Sequence, residues 1–215
     1  MISPAEVSTA SSIEPDAPMR MALVGSMTMR SPRSSVRSVA SVAFHGSAII
    51  GPVVLALGEA LSASGEDVIT AFVAGWEVAA RVGLAARGTF HKRGFHTTSI
   101  AGIFGGTAAA AKLLGLTAEQ MSHALGMTGS QVSGVSEYLS NGSSSKSFHP
   151  GWSAHAAIVA AHLAKAGMTG PMTVFEGRYG LYKTYGLESE SDLTQLNAEL
   201  GTRWEVTRIS IKPYA

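Results

Sequence analysis

Two histidines close to cationic residues are the part of this sequence best suited to chemistry. His96 comes three residues after Arg93, and His149 comes three residues after Lys146 in the serine-rich stretch SNGSSSKSFHPGWSAH, residues 140–155. Cations suit carboxylate binding, and a histidine that titrates near neutrality suits proton transfer to or from carbon or a leaving hydroxyl. Composition and spacing leave a second interpretation open, in which these are solvated loop charges beside a histidine at a helix start.

Other kinds of active site find little support in the sequence. The absence of cysteine excludes disulfides and thiolate zinc sites. His91 and His96 lie in a segment without nearby acids, and His155 and His162 are two helical turns apart, so neither pair predicts a metal centre. The match of Ser143-Ser144-Ser145-Lys146 to Ser-x-x-Lys is expected by chance in a serine-rich run. With no phosphate-binding or dinucleotide motif either, we expect neither a metal ion nor a cofactor.

The junction at Pro150 predicts how Lys146 and His149 are presented. Proline suits a first helical turn, so an alanine-rich helix is expected from Gly151 to about Ala166, after a polar loop that carries the two side chains. Free N–H groups at a helix start attract anions. We therefore interpret this junction as one wall of a site for a small polyanionic carboxylate.

Helical periodicity dominates the chain after His45 and predicts an all-α, multi-helix, bundle-like domain. Ser64 is expected to cap a long helix, and Thr117 with Gln120 forms a capping box. The alternation at 204–211 predicts a short β-strand at the C-terminal end. Helices are expected over residues 52–62, 64–87, 99–114, 117–128, 131–139, 151–166, 172–176 and 192–200, and a loop over 88–97.

Composition narrows the class of protein. With 46% hydrophobic residues the chain can bury a sizeable core, and a net charge of +1 with only 14% charged residues gives no case for nucleic-acid binding. The most apolar run, 48–57, is interrupted by Gly51 and Pro52 and falls short of the about 20 apolar residues that a bilayer span needs. We expect no membrane insertion and a cytoplasmic location.

Residues 1–43 have a different composition from the rest. Ser, Arg and Met are frequent there, and no acidic residue occurs between Ala17 and Gly58. We expect little stable structure in this segment. Its composition fits a disordered tail or an organelle transit peptide.

Five segments carry a resemblance to a known family: AFHGSAIIGPVVLALGEAL, GWEVAARVGLAARGTFHKRGFHTTSIAGIFGGTAAAAKLLGL, ALGMTGSQVSG, SKSFHPGWSAHAA and ISIKPYA. In order and spacing they resemble the first, helical part of the 2-methylcitrate dehydratase (MmgE/PrpD) superfamily, which includes cis-aconitate decarboxylase and iminodisuccinate epimerase. The resemblance runs over 45–214, roughly four-fifths of the chain. It implies metal-free chemistry on a di- or tricarboxylate, in a homodimer whose subunit pairs a helical domain with a smaller α+β lid domain.

The resemblance also implies roles for individual residues, matched by motif. His45 corresponds to the histidine of the family's His-Pro-Ser segment, although Gly46 replaces the proline. In such enzymes lysines would hold substrate carboxylates and histidines would move protons. The expected catalytic residues are His45, His96 and His149, and the expected substrate-binding residues are Lys146, Lys212 and Arg93.

Two departures from the family pattern bear on completeness. The family has an aspartate-rich segment where this sequence has Met27-Thr28-Met29-Arg30. Met-Thr codons contain an Asp codon in another frame, so we hypothesise that residues before about Val42 come from a shifted reading frame. Family members also continue past Lys-Pro-Tyr. We divide the chain into an irregular or non-family segment over 1–43, a helical domain over 44–203, and the start of a truncated lid over 204–215.

Three functions follow from these expectations. The leading one is a carboxylate lyase that dehydrates 2-methylcitrate-like tricarboxylates, or carries out a related decarboxylation, by histidine proton transfer. The alternatives are a non-catalytic fragment acting as a helical interaction piece, and an epimerase of an iminodicarboxylate. The sequence leaves the choice open, because these reactions share a polyanion and a mobile proton.

Overall fold

The computed structural model describes residues 44–209, so the predictions for 1–43 and for Lys212 fall outside the described residues. Within 44–209 the chain forms α-helices and short 3-10 helices and no β-strand, which confirms the all-α prediction. The α-helices are α1 Ser47–Ala60, α2 Gly65–Ala86, α3 Thr89–Lys92, α4 Thr97–Leu113, α5 Ala118–Gly129, α6 Tyr138–Asn141, α7 Ser145–Lys165 and α8 Leu181–Thr184.

Helix α4 lies at the centre of the domain and packs against α1, α2, α5 and α7. Its side chains are small, and every residue from Thr98 to Ala111 is buried. Helices α2 and α4 approach each other closely, since a Cβ atom added at Gly75 would lie 2.6 Å from the carbonyl oxygen of Gly105. Glycine therefore sets the distance between these helices, and α4 presents its N-terminus at one end of the packed core.

The predicted helix starts at Ser64 and Thr117 are confirmed. Ser64 accepts a hydrogen bond from the Asp67 backbone N–H, and Thr117 and Gln120 form the expected reciprocal capping box. By length and composition α2 is the one described helix that could cross a bilayer. However, 67% of its most apolar stretch is buried within the protein, as in the core helix of a globular domain.

Two helices begin earlier than the sequence indicated. Proline favours a first helical turn, yet Pro52 and Pro150 each lie five residues inside their helices, α1 and α7. The predicted polar loop before Pro150 is therefore wrong over its last part, because Lys146 and His149 lie in the first turns of α7. Each proline is the sixth residue of its helix, so it removes an N–H that would otherwise donate to the carbonyl of Ala48 or Lys146, one turn earlier.

Other element predictions were partly wrong. Only the end of the predicted helix 131–139 is helical, as the single turn α6, and residues 172–176 form turns. Residues 193–196 form a 3-10 helix inside the predicted helix 192–200, and the predicted loop 88–97 contains the single turn α3. These segments are short, and backbone contacts with neighbouring segments decide their conformation rather than side-chain periodicity.

The strand predicted over 204–211 is also wrong over its described part, where Glu205–Arg208 form a 3-10 helix. Buried charges explain the difference. The Glu205 carboxylate pairs with the Arg203 Nε atom at 2.7 Å, and the Val206 N–H donates to Glu77 Oε1 of α2 at 2.9 Å. These contacts fix the segment on α2, where none of the described residues forms a strand that could continue a ladder.

Candidate active site

A short antiparallel contact between two loops positions His96 at the N-terminus of α4. The His96 N–H donates to the Gly134 carbonyl at 2.9 Å, and the Ser136 N–H donates to the Gly94 carbonyl at 2.7 Å. Gly134 has a φ of +113°, which favours glycine, and a Cβ atom there would lie 3.3 Å from Nδ1 of His149. The loop contact thus brings His96, which precedes the first residue of α4, close to α7.

His96 and His149 contact each other directly. Their Nδ1 atoms lie 3.2 Å apart, and their ring centroids are 5.4 Å apart. A hydrogen bond between two Nδ1 atoms requires that one carries the proton and the other accepts it. One neutral ring therefore exposes a bare Nε2 atom that can take a proton, while the other exposes an Nε2–H that can donate one.

Burial keeps both histidines neutral near neutral pH. Desolvation is the main cause that lowers the pKa of His96 to about 4, and repulsion from the charged forms of His149, Lys146, His45 and His91 contributes to that value in that order. Desolvation also lowers the pKa of His149, whose side chain is buried in α7. At neutral pH the ammonium group of Lys146 therefore makes the free site positive, and a bound anion would offset that charge.

Tyr138, the first residue of α6, completes the cluster. Its ring centroid lies 5.8 Å from that of His96 and 5.8 Å from that of His149, in edge-on arrangements. The Lys146 Nζ atom lies 5.7 Å from the same centroid. Lys146 and the two histidines, predicted separately from the sequence, are thus held around a single aromatic ring.

His45 approaches the N-terminus of α4 from the start of α1. Its backbone N–H donates to Thr98 Oγ1 at 3.1 Å, and its Nδ1 atom lies 3.5 Å from the same oxygen. Thr98 is buried, whereas the side chain of His45 is exposed. The imidazole is therefore available to a ligand at the helix start and contributes to the positive field on His96.

Arg93 is directed elsewhere in this structure. Its Nη2 atom donates to the Thr184 carbonyl at 3.5 Å, and Thr184 lines a separate cavity of about 420 Å³ between α5 and residues 171–185. The structure thus brings His45, His96, His149 and Lys146 together and does not bring Arg93 to them. Lys212 lies outside the described residues.

Two residues of this cluster were not predicted from the sequence. Tyr138 falls between two of the family-like segments and within a predicted helix, and Thr98 lay among the small residues of α4. Only the folded geometry shows that Tyr138 contacts three site residues and that Thr98 holds His45.

Metal ligation finds no support among the described residues, since no group of three His, Asp or Glu side chains in 44–209 could hold a metal ion. The Nδ1 atoms of His96 and His149 point at each other, whereas shared metal ligands direct their ring nitrogens at a common point. That the site works without metal or cofactor stays a prediction.

Comparison with known proteins places this cluster in a family. Residues 39–194 match the MmgE/PrpD N-terminal domain. Over 182 residues the chain is 32% identical to the cis-aconitate decarboxylase of Aspergillus terreus, a match that covers 80% of this chain and 37% of that protein. It is 29% identical over 184 residues to the cis-aconitate decarboxylase-like protein oryM of Aspergillus oryzae, covering 80% of this chain and 38% of that protein.

A mammalian relative also matches the chain. The cis-aconitate decarboxylase of Homo sapiens is 34% identical over 149 residues, which cover 66% of this chain and 30% of that protein. The chain thus spans less than two fifths of the length of the curated relatives that it matches.

Proposed function

The chain belongs to the MmgE/PrpD family, and from that premise we propose that it forms the proton-transferring and carboxylate-binding wall of a carboxylate lyase. The favoured reaction is decarboxylation of a small unsaturated di- or tricarboxylate, because the named relatives are cis-aconitate decarboxylases. His96 and His149 would move the proton, with His45 beside them. Lys146 would hold a carboxylate.

The observation that carries this proposal is the 3.2 Å contact between the Nδ1 atoms of His96 and His149. The Lys146 ammonium group lies nearby, over the Tyr138 ring. Such a pair offers a proton acceptor and a proton donor side by side, which is what acid–base chemistry on carbon needs. A lysine and the N-terminus of α4 supply positive charge for the acid groups that do not react.

The histidine pair and the positive groups beside it can support decarboxylation. The bond between carbon and the leaving carboxylate breaks, carbon dioxide departs as a neutral molecule, and the electron pair remains on the substrate carbon. A protonated imidazole of the pair then gives its proton to that carbon and becomes neutral. Water returns a proton to the pair, so the net change is the replacement of a carboxylate by hydrogen.

Substrate binding would itself prepare the proton donor. The pKa of His96 lies at about 4 in the free protein because of burial and neighbouring positive charge. A bound carboxylate brings negative charge to the same place and favours the charged imidazolium. The pair would therefore take up a proton when the polyanion binds, which is the protonation state that the reaction requires.

The same groups would serve dehydration of a hydroxy tricarboxylate. There the bare Nε2 atom removes a proton from carbon, the carbon–oxygen bond breaks, and the other ring protonates the departing hydroxide to give water. Both reactions develop negative charge next to carboxylates, so one wall of positive groups suits both.

Binding is tested by calorimetric titration of the chain with citrate and with cis-aconitate at pH 7. Lys146→Ala should weaken binding at least tenfold. Lys112→Ala is the matched control, because this exposed lysine of α4 lies roughly 24 Å along the helix from His96. Absence of binding by the native chain, or equal binding by the Lys146→Ala and native chains, would overturn the proposed site.

Proton uptake and turnover give two further readouts. Repeating the titration in buffers of different ionisation enthalpy should show net proton uptake, which His96→Gln should abolish. Release of carbon dioxide from cis-aconitate by this chain would support decarboxylation, and release of water from a hydroxy acid would support dehydration instead. Binding without either product would support a non-catalytic role for the chain alone.

A further inference from the structure

We propose that Tyr138 is a positioning residue that holds His96, His149 and Lys146 in one working arrangement. This inference rests on the proposed function, in which those three residues are the working groups. It adds a residue that does no chemistry itself and acts through its aromatic ring.

The Tyr138 ring contacts both histidine rings. The centroids of Tyr138, His96 and His149 form a nearly equilateral triangle with sides of 5.8, 5.8 and 5.4 Å. The Tyr138 plane is inclined by 70° and 67° to the two imidazole planes, which is the favoured edge-on arrangement of aromatic pairs. One ring therefore fixes the orientation of both histidines that share the Nδ1 proton.

Lys146 also contacts the Tyr138 ring. Its ammonium group lies 5.7 Å from the Tyr138 centroid, within the distance at which a ring attracts a cation. A lysine stem is flexible and its charge is compact, so a ring contact restricts where that charge is placed. Tyr138 thus sets the distance between the lysine charge and His96, whose pKa that charge lowers.

The backbone explains how Tyr138 can do this. The bridge between Phe95 and Val135 ties the segment before Tyr138 to the residues around His96. At the other side, the Gly142 N–H donates to the Tyr138 carbonyl at 2.8 Å and closes the single turn α6. His149 belongs to α7, so the Tyr138 ring links a loop-positioned histidine to a helix-positioned one.

Simple core packing does not account for this residue. Tyr138 is half-buried and is not among the residues of the hydrophobic core or the side chains packed against it in the described part of the chain. Its neighbours in sequence, Leu139 and Val135, are 66% and 59% exposed. The described ring and cation contacts of Tyr138 are all with site residues, which favours positioning over general stability.

Histidine NMR of the ligand-free chain tests the inference without any substrate. Tyr138→Leu should raise the pKa of His96 by at least one unit from about 4, a tenfold change in proton affinity, and should replace the fixed tautomers of the pair by mixtures. Tyr138→Phe should leave both properties unchanged, because the ring is retained. Tyr179→Leu is the matched control, since this 81% exposed tyrosine also contacts a cation, Arg178, away from the pair.

Three results would overturn the inference: a His96 pKa in Tyr138→Leu within 0.3 unit of the native value, a Tyr138→Phe chain as perturbed as Tyr138→Leu, or an equal effect of Tyr179→Leu. If Tyr138→Leu does not fold, pentafluorophenylalanine at this position keeps the size and reverses the charge distribution of the ring. That chain should show the Lys146 ammonium displaced, and an unchanged lysine signal would overturn the inference. Because no ligand is used, this outcome is independent of whether the proposed lyase site binds carboxylates.

Discussion

The Nδ1 atoms of His96 and His149 lie 3.2 Å apart, although His96 directly precedes α4 and His149 belongs to the second turn of α7. Two bare nitrogens or two N–H groups would repel each other at this distance, so the pair shares a single proton. The consequence is a division of roles in which the Nε2 atom of one ring is basic and that of the other ring is a donor. Neither histidine has this property alone.

The shared proton predicts opposite tautomers for the two rings. At pH 7.5, ¹⁵N NMR should show one ring protonated at Nδ1 and the other at Nε2. His149→Phe keeps the site apolar but removes the partner, so the remaining His96 should become a mixture of tautomers. Finding both native rings protonated at Nε2 would contradict the proton shared between the Nδ1 atoms.

Burial of His96 predicts a loss of stability in acid. Its pKa is about 4 in the folded chain and near 6.5 when unfolded, so the unfolded state binds the proton more tightly. The stabilisation is fully present above pH 6.5 and is lost as the pH falls toward 4. Because water partly screens the half-buried ring, we expect a loss on the order of 1–2 kcal/mol.

Urea unfolding at several pH values measures this effect. His96→Gln should flatten the acid side of the stability profile, and the control His162→Gln removes an exposed histidine from α7. A profile for His96→Gln that runs parallel to the native one between pH 6.5 and 4 would show that other groups are responsible.

The starts of the long helices were predicted well, because the capping residues that mark them act within one helical turn. The Ser64 cap and the Thr117–Gln120 capping box set helix starts through hydrogen bonds between residues three apart. The prolines of α1 and α7 misled the prediction, since a proline preference for the first turn is weaker than the packing of a whole helix. Helix content was therefore predictable, and the extra turn that carries Lys146 was not.

The candidate site was predictable only as a set of residue types. The sequence named His45, His96, His149 and Lys146, which the structure brings to one place. The contact between His96 and His149 depends on the loop pairing at Gly134, which joins positions 38 residues apart in the chain. Such non-local contacts leave no periodic trace, which is why Tyr138 was missed.

Removing Arg81 should destabilise the fold strongly. This arginine is 2% exposed, and it donates to the carbonyls of Ala198 and Arg203 at 2.7 and 2.8 Å while pairing with Glu77. Arg81→Ala leaves the Glu77 carboxylate buried without its cationic partner, so we expect a loss of about 3–5 kcal/mol in unfolding free energy.

The surface pair of Lys183 and Glu188 provides the comparison, because both side chains are exposed. Lys183→Ala should cost less than about 1 kcal/mol. Denaturant unfolding of the two variants compares them directly, and losses of similar size would show that the Arg81 network does not hold the C-terminal segment on α2.

Replacing glycine by alanine should have opposite effects at two helical positions, Gly105 at the contact between α2 and α4 and Gly51 on the open side of α1. A Cβ atom at Gly105 would lie 2.7 Å from Cβ of Ala79, so Gly105→Ala should force the helices apart and destabilise the chain by about 1–3 kcal/mol. Gly51 lies inside α1 with nothing within 4 Å of an added Cβ atom. Gly51→Ala should therefore stabilise by about 0.5–1 kcal/mol, because alanine favours the helix and loses less backbone entropy. Thermal unfolding should give shifts of opposite sign, and a stabilising Gly105→Ala would mean that the helices are not in glycine-limited contact.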